Sequence, residues 1–359
     1  MINVDRMVGT FLELVQIDSP SGEEEVISRH LVSSLASLGL AVQRDAMNNV
    51  IARLPGVGKP ILVNAHMDTV TPGRGVKPLI RDGVVYSDGT TVLGADDKGG
   101  LAVAIEVLRV ILENKLDHHP VEIAFTVAEE TGLNGAKSLD LQQFAACIGV
   151  GLDAGGGPGT IIVSAPSHDR IYATIIGKAA HAGAHPEEGI NAIRVAAEAI
   201  AAMPLGRIDT ETTANVGVIH GGQATNIVPE RVEIQAEARS RDEDKLKAQT
   251  QSMMSALKEA ARRHNAKVDL QVEREYCAYT LAEQDEIIQR LSAACRQVGV
   301  EPLLLPSGGG SDANIFNAAG IQVANIGLGM TQEHTTAECI AIADMVACAR
   351  ILLACLTAP

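Results

Sequence analysis

The sequence predicts an α/β protein in which a layered α/β domain carries an inserted, smaller α+β domain of βαββαβ order. Three observations support this prediction. The chain has 359 residues, more than one hydrophobic core usually holds, which favours two domains. Apolar runs and a helical pattern alternate before Pro166, where the pattern of elements changes. The first pattern returns past Thr280, so the chain is expected to re-enter the first domain.

The part before Pro166 is predicted to contain two helices, a hairpin and four buried strands. An amphipathic helix runs from Gly22 to Leu38 and stops at Gly39, a common residue at helix ends. A second helix is expected over 99–113, and Asp82-Gly83 is typical of a hairpin turn. Short continuous apolar runs are typical of strands buried on both faces, and they occupy residues 49–54, 61–66, 121–128 and 148–154. Strands that alternate with helices indicate a layered α/β domain.

The next part has the element order of a split βαβ unit, also called ferredoxin-like. The predicted elements are a strand at 170–177, a helix at 191–203, strands at 213–222 and 231–240, a helix at 242–264 and a strand at 267–275. Past Thr280 we expect a helix at 283–298, a strand at 321–329 and a closing helix at 337–357. We therefore predict an inserted domain at 167–273 and a discontinuous outer domain at 1–166 and 274–359.

Composition argues against several classes of partner. The net charge of -15 disfavours a polyanion such as nucleic acid, and 2% aromatic residues without Trp give no platform for base stacking. Asp5, Arg6 and Glu13 interrupt the N-terminal apolar pattern, which does not suit a signal peptide. The sequence contains no run of about 18 uncharged apolar residues, so no membrane span is predicted.

The cysteines are predicted to be buried free thiols, because they are far apart and show no CxxC spacing. They are Cys147, Cys277, Cys295, Cys339, Cys348 and Cys355. Free thiols are typical of a reducing compartment, so we expect a cytoplasmic protein.

Histidines and carboxylates follow the predicted strands. His66 and Asp68 in NAHMDTV are two residues apart at a strand end, so they project to the same side. The other candidates are Asp96 in GADDKGG, Glu129 and Glu130, Asp153 in LDAGG, and His334 in QEHTTAE. Each has an ordinary explanation alone, such as a helix start, an Asx-turn or a surface histidine. Together they would meet at one sheet edge, where only a metal could balance their charge.

Mixed nitrogen and oxygen donors suit zinc, with cobalt or manganese as possible substitutes. A single catalytic zinc needs only three protein ligands, so five candidates for direct ligands among these seven residues indicate two ions that share one bridging carboxylate.

The motifs HMD, GADDKGG, EE, LDAGG, HAGAHP, GGQATNIVP, EARS and GGSDAN and the late histidine occur in this order along nearly the whole chain. The set resembles the di-zinc exopeptidase and deacylase family that includes peptidase T, carboxypeptidase G and aminoacylase, and GADDKGG and LDAGG are most similar to the peptidase T branch. The resemblance implies a catalytic domain of the zinc exopeptidase type with an inserted lid and dimerisation domain.

The resemblance also implies roles for the candidates of the outer domain. His66 and Asp153 would be the terminal ligands of one ion, and Glu130 and His334 those of the other, while Asp96 would bridge both. Asp68 would orient His66 through its second ring nitrogen. Glu129 would be the general base, and a cis peptide bond would follow Asp96.

In the inserted domain, the resemblance makes His181 the lid histidine that acts across a homodimer and polarises the scissile carbonyl. Asn226 and Arg239 match positions that contact substrate, and their spacing predicts that they lie on adjacent strands. The cluster PSGGGSDAN lacks the GK[ST] of a phosphate loop, so we expect backbone contacts with substrate there, from Gly308, Gly309 and Gly310.

We therefore expect a metal-dependent hydrolase that cleaves an amide bond in short peptides, similar to a tripeptidase or aminopeptidase. The sequence leaves open whether cleavage starts at the amino or the carboxyl end. One alternative is an amidohydrolase of N-acyl or N-carbamoyl amino acids, which would use the same metal site. A second is a non-catalytic peptide-binding protein, which predicts the loss of a ligand or of the base.

Overall fold

The structure, a computed structural model, describes residues 1–357 and divides into two compact units. Unit 1 comprises Met1–Ser164, Thr280–Ser307 and the chain from Ser311 onwards. Unit 2 comprises Ala165–Tyr279 together with Gly308–Gly310. The chain therefore leaves unit 1, builds unit 2 and returns, and three later residues pack with unit 2.

The elements are numbered in chain order. The helices are α1 (Val4–Val15), α2 (Glu25–Ser37), α3 (Ala95–Asn114), α4 (Asn134–Ser138), α5 (Ala192–Ala201), α6 (Glu243–Arg263), α7 (Glu286–Gln297), α8 (Asp312–Ala318) and α9 (Ile342–Thr357), and single 3-10 turns cover Leu141–Gln143 and Pro186–Glu188. The strands are β1 (Ala41–Arg44), β2 (Val50–Leu54), β3 (Ile61–His66), β4 (Leu79–Arg81), β5 (Val84–Tyr86), β6 (Val121–Thr126), β7 (Ile148–Gly151), β8 (Thr160–Ala165), β9 (Ser167–Ile176), β10 (Gly206–Arg207), β11 (Thr212–Gly221), β12 (Arg231–Ser240), β13 (Lys267–Tyr276), β14 (Tyr279–Thr280), β15 (Leu303–Pro306), β16 (Gln322–Asn325), β17 (Met330–Thr331) and β18 (Cys339–Ala341).

The central sheet of unit 1 has the strand order β1-β2-β6-β3-β7-β16. β3 runs parallel to β6 and β7, and β16 runs parallel to β7. β3, β6 and β7 are buried along their whole length, as their continuous apolar sequences predict. α3 packs against α1, α9 and β3 and is buried on nearly all sides. This is the predicted layered α/β arrangement.

The C-terminal part of unit 1 differs from the prediction. The strand expected at 321–329 is shorter, and the closing helix begins at Ile342 instead of residue 337. Cys339–Ala341 forms β18 instead, which pairs with β5 of the predicted hairpin. Ile340 lies opposite Val85 and both are buried, so sheet pairing is favoured here over extending the helix. A small sheet of order β14-β8-β15 was not predicted.

Unit 2 is an antiparallel sheet of order β10-β11-β12-β9-β13 with α5 and α6 on one face. Alternate residues of the strands, such as Ile171, Ala173 and Ile175 of β9, form a core with the apolar residues of the two helices. The predicted βαββαβ order is therefore present, with β10 as an additional short strand.

The thiols differ in part from the prediction. Cys295, Cys348 and Cys355 are buried free thiols and Cys339 is half-buried, whereas Cys147 and Cys277 are exposed, because they lie just outside β7 and β13. No helix within residues 1–357 is both long enough and apolar enough to cross a membrane.

Candidate metal centre

The candidate ligands of unit 1 lie at one edge of the central sheet. His66 is the last residue of β3, Glu129 and Glu130 follow β6, and Asp153 follows β7. Because β3, β6 and β7 are parallel neighbours, their carboxyl ends meet at the same edge. Asp96 lies in the first turn of α3, where its backbone is not helical, and the expected cis peptide bond joins it to the next residue.

Asp96 belongs to two clusters of possible metal ligands. One consists of His66, Asp96 and Asp153, the other of Asp96, Glu130 and His334, and in each cluster one donor atom per residue lies within 4.8 Å of the others. The Oδ1 atom of Asp96 is 3.0 Å from Nε2 of His66, and its Oδ2 atom is 3.3 Å from Nε2 of His334. The two oxygens of one carboxylate therefore face two different histidines, the geometry that a bridging ligand needs.

The donor set fits divalent metal ions. It combines imidazole nitrogens with carboxylate oxygens, which suits zinc and similar ions. Oε1 of Glu130 is buried and lies 3.0 Å from Nε2 of His334, but it accepts no hydrogen bond of suitable geometry within the described chain. A buried carboxylate oxygen without a donor is costly unless a cation compensates it.

Electrostatics within the cluster also favour a cation. Burial, together with neighbouring carboxylates, raises the pKa of Glu129 and of Asp153. Burial opposes protonation of His66, but hydrogen bonds to two carboxylates outweigh it and raise the pKa of this histidine. The hydrogen bond to Asp96 raises the pKa of His334 to about 10. Protons and metal ions compete for such donor atoms, so metal affinity should depend strongly on pH.

Asp68 is a buried carboxylate that contacts both His66 and the tandem glutamates. Its Oδ1 atom lies 3.3 Å from Nδ1 of His66 and accepts the N–H of Glu129 at 3.0 Å. Its Oδ2 atom accepts the N–H of Glu130 at 3.2 Å and the hydroxyl of Ser21 at 2.6 Å. Burial opposes ionisation, but hydrogen bonds led by that of His66 outweigh it and lower the pKa of Asp68. Asp68 therefore contacts the ring of His66, whose Nδ1 atom also lies 3.1 Å from the backbone carbonyl of Asp68, and it holds the backbone that carries both glutamates.

Glu338 holds the turn of Asp96, a role that the sequence did not suggest. Its Oε1 atom accepts the N–H of Asp96 at 3.0 Å, and its Oε2 atom accepts that of Gly94 at 2.8 Å. Glu338 is buried and lies four residues after His334 in the chain (338 − 334 = 4). The segment that carries His334 is therefore tied to the turn that carries Asp96. In the sequence, Glu338 was visible only as the carboxylate that ends the QEHTTAE motif, a position where no metal ligand was expected.

Asp312 is a second acidic residue whose placement the sequence did not suggest. It is buried at the start of α8, where its Oδ2 atom accepts hydrogen bonds from the hydroxyl of Thr126 and from the amide of Asn64. Burial raises its pKa, and its charge contributes to the raised pKa of Glu129. In the sequence it lies in GGSDAN, two residues after the glycines that were expected to contact substrate.

In unit 2, the structure brings His181 and Asn226 together. The N–H of Ala182 donates to the carbonyl of Asn226 at 3.0 Å, and His181 forms an isolated bridge with Ile227. Nδ1 of His181 accepts the N–H groups of Gly183 and Ala184 at 3.2 and 3.0 Å. With Nδ1 as the acceptor, Nε2 carries the hydrogen and can donate.

Arg239 lies on β12 beside the glycine cluster. Its Nε and Nη2 atoms donate to the two carboxylate oxygens of Glu237 at 3.1 and 3.0 Å. Its Nη1 atom would be 3.9 Å from a Cβ atom added to Gly309, and a Cβ atom on Gly310 would collide with the ring of Tyr276. The structure therefore places Arg239 and the glycine cluster together in unit 2.

The prediction that Asn226 and Arg239 lie on adjacent strands is wrong. Asn226 lies in the loop between β11 and β12, whereas Arg239 lies near the far end of β12, opposite Thr213. From Arg231 to Arg239 the strand advances 239 − 231 = 8 residues, about 26 Å at about 3.3 Å per residue. The spacing misled because Asn226 lies in the loop before β12 and most of the separation, 8 of 239 − 226 = 13 residues, runs along β12 itself.

Comparison with known proteins gives consistent matches. Residues 62–358 match the model described as Peptidase family M20/M25/M40. The chain is 43% identical over 364 residues to the uncharacterized protein YqjE of Bacillus subtilis (strain 168), covering 99% of this chain and 98% of that protein.

Two solved structures are similar over 99% of this chain and 98% of their own. One is aminopeptidase PepT from Bacillus cereus ATCC 10987, with 42% identity and a TM-score of 0.89. The other is a tripeptidase from Staphylococcus aureus subsp. aureus mu50, with 40% identity and a TM-score of 0.94.

Proposed function

Because the chain belongs to peptidase family M20/M25/M40 and is a metal-dependent peptidase, we propose that it removes a terminal residue from short peptides, above all from tripeptides. The similarity to an aminopeptidase and to a tripeptidase, each above 39% identity over almost the whole chain, supports this substrate class. The observation that carries the proposal is the placement of Asp96 between two groups of ligands beside a buried glutamate.

We assign the ligands of the two ions from this geometry. His66 and Asp153 would hold one ion, and Glu130 and His334 the other, with Asp96 shared. Zinc is the proposed metal, with cobalt or manganese as substitutes. When bound, the ions would acidify a water molecule and polarise the scissile carbonyl.

Glu129 performs the proton transfers. It is buried, and its backbone is fixed by Asp68, so its carboxylate is held beside the ligand clusters. It accepts a proton as the water attacks the carbonyl carbon, and it donates that proton to the leaving amine. Asp68 keeps His66 oriented throughout.

We propose that His181 stabilises the oxyanion and that it does so in a homodimer. Its Nε2–H donates to the developing charge, since Nδ1 is occupied as an acceptor. His181 and Asn226 lie at one end of β12, and Arg239 lies about 26 Å away at the other, at about 3.3 Å per residue over the strand. One small peptide cannot contact both ends of the same unit 2. A second copy of the chain would therefore supply either His181 and Asn226 or Arg239 to the site.

Arg239 is proposed to bind the free carboxylate of the peptide. Glu237 fixes the plane of the guanidinium through two parallel hydrogen bonds. A guanidinium with a fixed plane is well suited to pair with a carboxylate. This contact would select short peptides over protein chains.

A panel of substrates tests the proposal. The zinc-loaded protein is expected to hydrolyse a free tripeptide faster than its N-acetyl and C-amide forms and faster than N-acetyl or N-carbamoyl amino acids. Identifying the first product by mass spectrometry decides between the amino and the carboxyl end. Faster hydrolysis of the N-acyl or N-carbamoyl amino acids would refute the peptide assignment.

A further inference from the structure

The tandem glutamates follow a backbone segment that is held by side chains. The N–H groups of residues 127–130 all donate to side chains of other segments. Asn49 Oδ1 accepts the first at 3.0 Å, Glu24 Oε1 accepts the second at 2.9 Å, and Asp68 accepts the third and fourth at 3.0 and 3.2 Å. Four successive donors are thus satisfied without strand or helix pairing.

The carbonyl groups of the same segment close a tight turn. Those of Val127, Ala128 and Glu129 accept N–H groups from residues 135, 134 and 133 at 3.0, 3.0 and 2.8 Å. Ala128 has a φ of 49°, in the left-handed region that residues with a Cβ atom seldom adopt. The hydrogen bond from Ala128 to Glu24 therefore holds the one unfavourable backbone conformation directly before Glu129.

Glu24 is a buried carboxylate that reaches Ala128 from a distant segment of the chain. It is 3% exposed at the start of α2, and the same Oε1 atom also accepts the N–H of Gly22 at 2.8 Å. It lies 104 residues from Ala128 in sequence. A buried carboxylate is tolerated when it accepts such hydrogen bonds.

We propose that Glu24 is a positioning residue for the base Glu129 and the ligand Glu130, an inference that rests on the proposed function of these two residues. Without Glu24, Ala128 relaxes towards a common backbone conformation and turns the peptide that follows. Because catalytic groups must be held within about 0.5 Å of their productive positions, this rotation lowers the rate without changing substrate contacts.

Three variants test the proposal. Glu24→Ala removes the acceptor, and Glu24→Gln retains an oxygen at the position of Oε1 while it removes the charge. Glu25→Ala, at the exposed neighbouring position in the first turn of α2, is the matched control. For each we would measure kcat, KM and the pH profile with a tripeptide, the Tm, and the visible spectrum of the cobalt-loaded protein.

We expect Glu24→Ala to lower kcat by up to about 100-fold with KM nearly unchanged, since displacement of a catalytic group by about 1 Å costs about that much. Its cobalt spectrum should change, because Glu130 shifts. Glu24→Gln should keep most of the activity and the wild-type spectrum, and Glu25→Ala should match the wild type in both.

Two results would overturn the proposal. In one, Glu24→Ala lowers the Tm but keeps the wild-type cobalt spectrum and kcat per folded molecule, which means a purely structural role. In the other, Glu24→Gln is impaired as severely as Glu24→Ala, which means that charge and not the acceptor matters. If the wild type fails to cleave peptides, the proposed function fails, and the cobalt spectra still decide the role of Glu24.

Discussion

Replacing Glu129 with glutamine tests its role as a base while it keeps the backbone contacts of this residue. Glutamine has nearly the same size, and the backbone N–H that donates to Asp68 at 3.0 Å is retained. The variant loses only the ability to accept a proton. It should therefore bind metal like the wild type but turn over slowly.

The substitution should lower kcat but raise the stability of the chelated protein at high pH. Loss of a general base lowers kcat by roughly 100-fold to 10,000-fold, about 2.7 to 5.4 kcal/mol of transition-state free energy at about 1.36 kcal/mol per decade. Burial raises the pKa of Glu129, so in a chelated sample the folded state favours the protonated form. A raised acid pKa gives stability that is present at low pH and lost as the pH rises through that pKa. Glutamine cannot ionise, so the chelated Glu129→Gln protein should be more stable than the wild type at high pH.

The assay combines initial rates on a tripeptide, metal content by mass spectrometry and thermal unfolding of chelated protein at pH 5 and pH 8. Glu130→Gln is the control, since it should lose metal. If Glu129→Gln loses a metal ion together with its activity, the roles of the two glutamates are exchanged. If it retains wild-type kcat, Glu129 is not the base.

Other predictions concern the metal ions and the residues of unit 2. His334→Ala should lower the number of bound ions from about two to about one in a cobalt titration; unchanged stoichiometry would remove His334 from the ligand set. Burial raises the pKa of Asp153, so the chelated protein should lose stability as the pH rises through that pKa. The gain in Tm on adding zinc should therefore grow with pH, and a gain that is constant with pH would contradict this prediction. Mixing the His181→Ala protein with the Glu129→Gln protein should restore part of the activity, because one site of a mixed dimer would contain both an intact Glu129 and the intact His181 of the other subunit. If no activity returns after verified subunit exchange, His181 acts within its own chain. Arg239→Ala should lower kcat/KM on a free tripeptide by about 30-fold or more but hardly affect the C-terminal amide, and equal losses would assign Arg239 to the fold.

The sequence predicted those parts of the structure that depend on neighbouring residues. Continuous apolar runs identified β3 and β6, and the positions of His66, Glu130 and Asp153 at the ends of such strands predicted that these side chains lie close together. The contacts that hold the cluster join distant segments, such as Asp96 and Glu338, which are 242 residues apart. A contact of this kind leaves no periodic pattern in the sequence. The start of α9 was missed because the apolar residues of β18 continue its pattern.

The position of β16 has a consequence for the order in which the protein folds during synthesis. β16 completes the central sheet beside β7, and 322 − 151 = 171 residues separate the two strands. At about 5–20 residues per second, the ribosome needs roughly 9–34 s to cover that interval. All strands of unit 2 lie within it, so this unit can fold while the edge of β7 still lacks its partner. An unpaired edge can pair with other chains, so the nascent protein is exposed to aggregation at this edge during that interval.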